Sequence, residues 1–185
     1  RTINLGLNEQ AAVEYLKDTY PNIDVVAGNI ATTDSANYFI SKGADGIKVG
    51  VGPGAVCTTR QMTGVGIPQL TAILDVYEAT QNTIPIIADG GIKQPGDFVK
   101  ALGAGANCVM CGFIFAGCDE TPRIKGQYLY RGNSSESVKK ETTYVEGREI
   151  YVSKAGPVKN IINRYLEGLA SGMTYVGANS LDKLI

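Results

Sequence analysis

The sequence predicts an α/β fold built on a parallel sheet with crossover helices. Short apolar runs alternate with helical patterns along most of the chain, each run ends in a glycine-rich or Asp-Gly corner, and two of the following helical stretches open with proline. Thr2 to Leu7 reads as a first strand, with Asn8 capping a helix through about Tyr20. Ile23 to Ala27 is the next strand, and a helix from about Thr33 to Lys42 is closed by Gly43. Asp45 to Val49 forms a third strand and delivers the chain into a cysteine-bearing loop. A helix beginning near Pro68 carries Leu70, Ile73, Leu74, Val76 and Tyr77 before Ile84–Ala88 forms strand four, which ends at Asp89-Gly90-Gly91. Pro95 to Leu102 is a further helix, and a fifth strand at Asn107 to Cys111 runs into Gly112.

Residues 119–155 break this rhythm. They are polar, rich in Lys, Glu, Ser, Thr and Tyr, and read as a long excursion with one hairpin near Gly126 and another near Gly147. Excursions of that length commonly act as lids. From Pro157 to Ala170 an amphipathic helix returns, with Val158, Ile161, Ile162, Tyr165, Leu166 and Leu169 on one stripe, and Ser180 caps a last short helix. Five strands do not close an eight-stranded barrel. If the architecture is a barrel, the chain supplies its later part and leaves a sheet edge to be covered.

Composition narrows the function classes. A length of 185 residues with 44% hydrophobic content suits a single domain with a sizeable core. Lys+Arg 17 against Asp+Glu 18 gives a net charge of -1, so no basic field favours nucleic acid or an anionic membrane surface. No apolar run reaches bilayer-spanning length and the N-terminus lacks a signal-peptide pattern, so the expected location is cytoplasmic. The four cysteines are expected as reduced thiols. Cys108 and Cys111 have C-x-x-C spacing, but three residues along a strand place the sulfurs on opposite faces, and the chain has no histidine to complete a zinc site.

The loops after the strands bring Asn29, Cys57, Asp89 and Gly112 to the carboxyl ends of adjacent parallel strands, where active sites of such folds lie. The richest stretch runs from Lys48 to Arg60: glycines at 50, 52 and 54 precede Cys57, then two threonines and an arginine. Cys57 is placed to attack an electrophilic carbon. Without histidine, its thiolate has to be stabilised by backbone dipoles, by Arg60 or by the substrate; the plainer alternative is a small buried hydrophobe. Asp89-Gly90-Gly91 offers a carboxylate for sugar hydroxyls and amides for a phosphate, which suggests a nucleoside monophosphate, or else simply turns the chain before the Pro95 helix. Tyr130-Arg131-Gly132-Asn133-Ser134-Ser135 is a candidate to close over the same ligand, and Glu146 in the excursion is a candidate proton donor or acceptor.

With these motifs in place the chain resembles the IMP dehydrogenase/GMP reductase family over nearly all of its length. The resemblance rests on Gly28-Asn29 with Thr32, the Gly50–Arg60 run, Gly64-Val65-Gly66-Ile67-Pro68-Gln69, Ala88-Asp89-Gly90-Gly91, Tyr130–Ser135, Glu146-Gly147 and Tyr175-Val176-Gly177-Ala178, in the family's order. It implies a TIM (β/α)8 barrel of which this chain covers the later strands. Cys57 would then attack C2 of the purine, and Thr59 would position the small molecule that leaves or enters. Asp89 would hold the ribose, with Gly90, Gly91, Gly112, Phe113 and Tyr130 around the phosphate and Gly132, Asn133 and Ser134 closing on the nucleotide. Asn29 would line the purine and nicotinamide side, with Arg60 and Gln69 toward the cofactor. Gly52, Gly54 and Cys57 carbonyls would form a potassium loop, and the assembly would be a homotetramer.

Between the two branches the reductase is the better match. The dehydrogenase carries an Arg-Tyr pair in a mobile flap, and none occurs between Ser135 and Gly156. The resemblance therefore implies NADPH-dependent reductive deamination of GMP to IMP and ammonia through a Cys57 adduct, with Glu146 as proton shuttle. Its alternatives are NAD-dependent oxidation of IMP to XMP, or a partial barrel that binds a purine nucleotide without turnover. Asn133 stands where the family usually has Met, and Phe113 where it usually has Gly or Ser. The first barrel strands are missing, so the chain is either a piece of a longer enzyme or a partial barrel that needs a partner.

Overall fold

The computed structural model describes residues 7–139 and 146–185. Its centre is a parallel sheet of β1 (Val26–Ile30), β2 (Gly46–Val49), β3 (Ile86–Asp89) and β4 (Cys108–Met110), in the spatial order β1-β2-β3-β4. Helix α1 (Leu7–Thr19) precedes β1, and α2 (Thr33–Ser41), α4 (Gln69–Thr80) and α5 (Pro95–Gly103) make the crossovers. A short α3 (Thr59–Thr63) follows the cysteine loop, and α7 (Val158–Val176) lies against α5.

Local sequence explains the crossover helices. Thr32 is extended and its hydroxyl accepts from the Ser35 amide at 3.3 Å, capping α2. Pro95 stands at the first turn of α5, where its missing N–H costs nothing, and the Asp97 carboxylate accepts from the Gln94 amide at 3.2 Å. Strand alternation then sets the layers. Ile47, Val49, Ile86 and Ala88 point to the helices and are at most 1% exposed, packed with Ala36, Phe39, Ile73 and Val76. Lys48, Ile87, Asp89 and Met110 take the other face, which no helix covers, and there Val26 is 51% and Met110 45% exposed. Among the described residues, β1 and β4 each have one unpaired edge.

The crossover pattern follows the expectation, with informative shifts. The proposed strand at Thr2–Leu7 lies outside the described residues except for Leu7, which is already helical; α1 also contains Asn8, so Asn8 is not its cap. The strand expected at Ile23–Ala27 is displaced to Val26–Ile30, because its register is set by pairing with Gly46–Val49 and not by its own apolar run. Helix α7 runs two turns beyond Ala170. Of its apolar stripe only Tyr165 is buried, edge-on to Phe98 at 6.1 Å, whereas Ile162 and Leu166 overhang the open edge of β4.

The described residues of the excursion include β5 (Tyr128–Arg131) and β6 (Glu149–Val152), paired antiparallel, with a short α6 (Glu136–Lys139) between them in sequence. A tight turn at Lys125-Gly126 joins Ile124 to Gln127, as expected. No hairpin turns at Gly147. That residue instead pairs antiparallel with Cys57 on one side and parallel with Ser135 on the other.

Candidate functional site

The pairing of Gly147 is what assembles the site. The Thr58 amide donates to the Glu146 carbonyl at 2.9 Å and the Arg148 amide to the Val56 carbonyl at 2.8 Å, so residues 146–148 run alongside the cysteine loop as an added strand segment. On the other side the Glu146 amide donates to the Ser134 carbonyl at 3.2 Å and the Gly132 amide to the Arg148 carbonyl at 3.1 Å. Glu146 is thereby delivered to Thr59 from 87 residues away in sequence. The Thr59 hydroxyl donates to Glu146 Oε2 at 2.5 Å, and Cys57 Sγ lies 3.2 Å from the same hydroxyl oxygen. Sulfur, hydroxyl and carboxylate thus stand in one hydrogen-bonded row, an arrangement through which a proton can pass without histidine.

A second cluster sits at the ends of β1, β2 and β3. Asp89 Oδ2 accepts from Lys48 Nζ at 2.5 Å and from Asn29 Nδ2 at 2.9 Å, and the same Asn29 nitrogen reaches the Gly50 carbonyl at 2.8 Å. Both bonds fall on one carboxylate oxygen, which leaves Oδ1 as the acceptor for a ligand hydroxyl. A cavity of about 390 Å³ joins the two clusters, lined by Asn29, Lys48, Asp89, Cys57, Tyr130 and Glu146 among others. That size suits a single mononucleotide-class ligand. Lys48 was not singled out from sequence, although the signal was present: in a strand reading Gly-Ile-Lys-Val, the lysine is the one member of the alternation opposite the buried Ile47 and Val49.

The remaining candidates fall into two groups. Gly52, Gly54, Gly90, Gly132, Asn133 and Ser134 line the same cavity. Gly91, Gly112 and Phe113 line a narrow adjoining cleft that also touches Gly54, Gly90 and Tyr130. Tyr130 closes that cleft, its ring 5.6 Å from Phe113 and its hydroxyl 2.7 Å from where a Cβ on Gly112 would stand. Burial, and then the neighbouring Asp89 and Cys111, push the Tyr130 phenol above its ordinary value, so it is held as a neutral donor. The Gly54 carbonyl accepts from the Cys57 amide at 3.1 Å, but a carbonyl has two lone pairs, so the turn carrying Gly52, Gly54 and Cys57 retains acceptors for a hard monovalent cation. All four cysteines are free thiols, and no His/Cys/Asp/Glu metal cluster exists among the described residues.

Arg60 and Gln69 stand apart from the cavity. Arg60 donates through Nε to the Val51 carbonyl at 3.1 Å and through Nη2 to the Ile67 carbonyl at 2.5 Å. Gln69 Nε2 bridges the Val49 and Asp89 carbonyls at 2.9 and 3.2 Å. These bonds use two of the five guanidinium donors of Arg60, and Gln69 Oε1 is buried without a hydrogen-bond partner among the described residues.

The IMP dehydrogenase / GMP reductase domain family matches residues 6–185. An inosine-5'-monophosphate dehydrogenase of Borreliella burgdorferi is 44% identical over 93% of this chain and 48% of its own length. A namesake from Aquifex aeolicus is 43% identical over 93% of this chain and 39% of its own. Among solved structures, a GMP reductase of Trypanosoma brucei in complex with guanosine 5'-monophosphate superimposes with a TM-score of 0.86 at 39% identity, over 95% of this chain and 40% of that one. The chain thus spans less than half the length of these relatives.

Proposed function

The chain belongs to the IMP dehydrogenase / GMP reductase family, and from that premise we propose that it is the later part of the barrel of a GMP reductase. The observation that carries the proposal is the Cys57–Thr59–Glu146 relay at one end of a nucleotide-sized cavity whose other end holds Asp89. In this reading Asp89 Oδ1 takes a ribose hydroxyl, and Cys57 Sγ bonds to C2 of GMP after passing its proton through Thr59 toward Glu146. The C2–N bond then breaks, with the proton returned along the same path so that the amine leaves as ammonia. NADPH, when bound, would supply the hydride that replaces sulfur on C2 and releases IMP, with Arg60 and Gln69 on its side of the site. Gly52, Gly54 and Cys57 carbonyls would hold potassium, whose part is to order the cysteine loop. Residues 119–155 act as the lid that keeps water from the adduct. A cytoplasmic homotetramer completes the proposal.

One observation favours the second reading: the sequence relatives named above are IMP dehydrogenases. A steady-state assay on the full-length protein separates the two. GMP with NADPH is expected to give IMP and ammonia, and Cys57→Ser to abolish it. NADH formation from IMP, with no NADPH oxidation by GMP, would overturn the reductase in favour of the dehydrogenase.

A further inference from the structure

We infer that Arg60 is a positioning residue for Cys57: its guanidinium is a clasp that fixes the cysteine loop against the loop entering α4, and two glycines of the sequence motif leave room for it. This rests on Cys57 being the nucleophile, but not on which nucleotide it attacks.

Arg60 lies three residues after Cys57, in the first turn of α3. Its side chain runs back over the loop it follows. Nε holds the Val51 carbonyl at the loop's start, and Nη2 holds the Ile67 carbonyl just before α4. The segment 51–67, Cys57 included, is therefore closed into a ring by one planar fork. Two different nitrogens reach two carbonyls in fixed directions, which an ammonium on a flexible stem does not reproduce.

The glycines give independent support. A Cβ on Gly52 would stand 2.6 Å from Arg60 Cγ and 2.9 Å from Nε, and a Cβ on Gly66 would stand 2.6 Å from both. Arg60 is sandwiched between these two α-carbons, and because Gly52 and Gly66 also sit at φ +82° and +156°, a side chain there is opposed both by the backbone and by the guanidinium stem. The glycine-rich run reads in sequence as a ligand cradle, whereas at Gly52 one side of the backbone is filled from within. The mutual fit locks the loop in the conformation that sets Cys57 Sγ 3.2 Å from Thr59.

The test compares Arg60→Lys and Arg60→Met in the full-length protein. Iodoacetamide labelling of Cys57, followed by peptide mass spectrometry, reports the loop directly and needs no turnover. Because the clasp is geometric, both variants should label at least about threefold faster than wild type in the absence of nucleotide. Both should also lose kcat with KM for the nucleotide nearly unchanged. Should Arg60→Met fold poorly, Arg60→Lys alone decides: wild-type labelling and kcat in the lysine variant would show that charge suffices and would overturn the clasp. A raised KM for the nicotinamide with kcat and labelling intact would overturn it as well, in favour of a cofactor contact. If wild type turned over neither GMP nor IMP, the function proposal would fail while the labelling comparison still decided this one.

Discussion

Replacing Glu146 by glutamine removes the carboxylate from the Thr59 hydroxyl while leaving its shape. The structure allows the loss to be apportioned. A hydrogen bond to a charged acceptor contributes about 1.5–3 kcal/mol, roughly twice a neutral one, so the amide gives up about 1–1.5 kcal/mol of the force that aligns Thr59, close to tenfold in rate. Proton transfer by a positioned carboxyl contributes about 10²–10⁴-fold beyond that, and an amide cannot do it. The backbone of residue 146 is held from both sides, by Thr58 and by Ser134, and neither bond involves the side chain. Glu146→Gln should therefore lower kcat by about three to five decades while its melting temperature stays within about 2–4 °C of wild type. The assay is steady-state turnover of the full-length protein with GMP and NADPH, beside a thermal melt. A kcat within about threefold of wild type, in a variant that melts normally, would refute the proton path.

Ile47 lies at the middle of the sheet with no exposed surface, so Ile47→Ala should cost about 2–5 kcal/mol, read as a lower urea midpoint at unchanged slope; a loss under about 1 kcal/mol would show that the core closes over the gap. Tyr130 supplies a pH prediction. Burial foremost raises its phenol above 10.0 in the folded state, so the stability it contributes is complete below the unfolded value near 10 and is lost as pH rises through the folded one. In a tyrosinate absorbance titration, Tyr130→Phe should delete a phenol that ionises above 10.0, and deletion of one ionising at or below 10.0 would contradict the buried placement.

Much of the scaffold is legible in the residues because its signals are local. Thr32, Lys42 and Gly43 bracket α2, and Pro68 and Pro95 open α4 and α5, since caps and proline act within one turn. Cys57 and Asp89 are legible for a related reason: Asp89 ends a short apolar strand, and Cys57 sits in the glycine-rich loop that follows one. What local reading misses is decided by partners distant in sequence. The register of β1 depends on Gly46–Val49, and the strand runs through Gly28 and Asn29, residues with little intrinsic preference for it. Arg60 reads in sequence as a ligand-binding arginine, and its bonds to the Val51 and Ile67 carbonyls come into view only once the loop is folded. Glu146 in a polar stretch carries no signal of its own, and only the resemblance marks it; its approach to Thr59 depends on three backbone segments lying side by side.

The bare face and open edges of the four-stranded sheet bear on how this unit is handled. Among the described residues Val26 is exposed at the β1 edge, and Met110, Ile162 and Leu166 form an exposed apolar group at the β4 edge, where strand amides and carbonyls are unpaired. Such surfaces recruit whatever strand is at hand. Expressed by itself, the segment would be a sticky, self-associating species whose colloidal behaviour obscures its chemistry, and loss of turnover in such a preparation would measure clumping in place of catalytic competence.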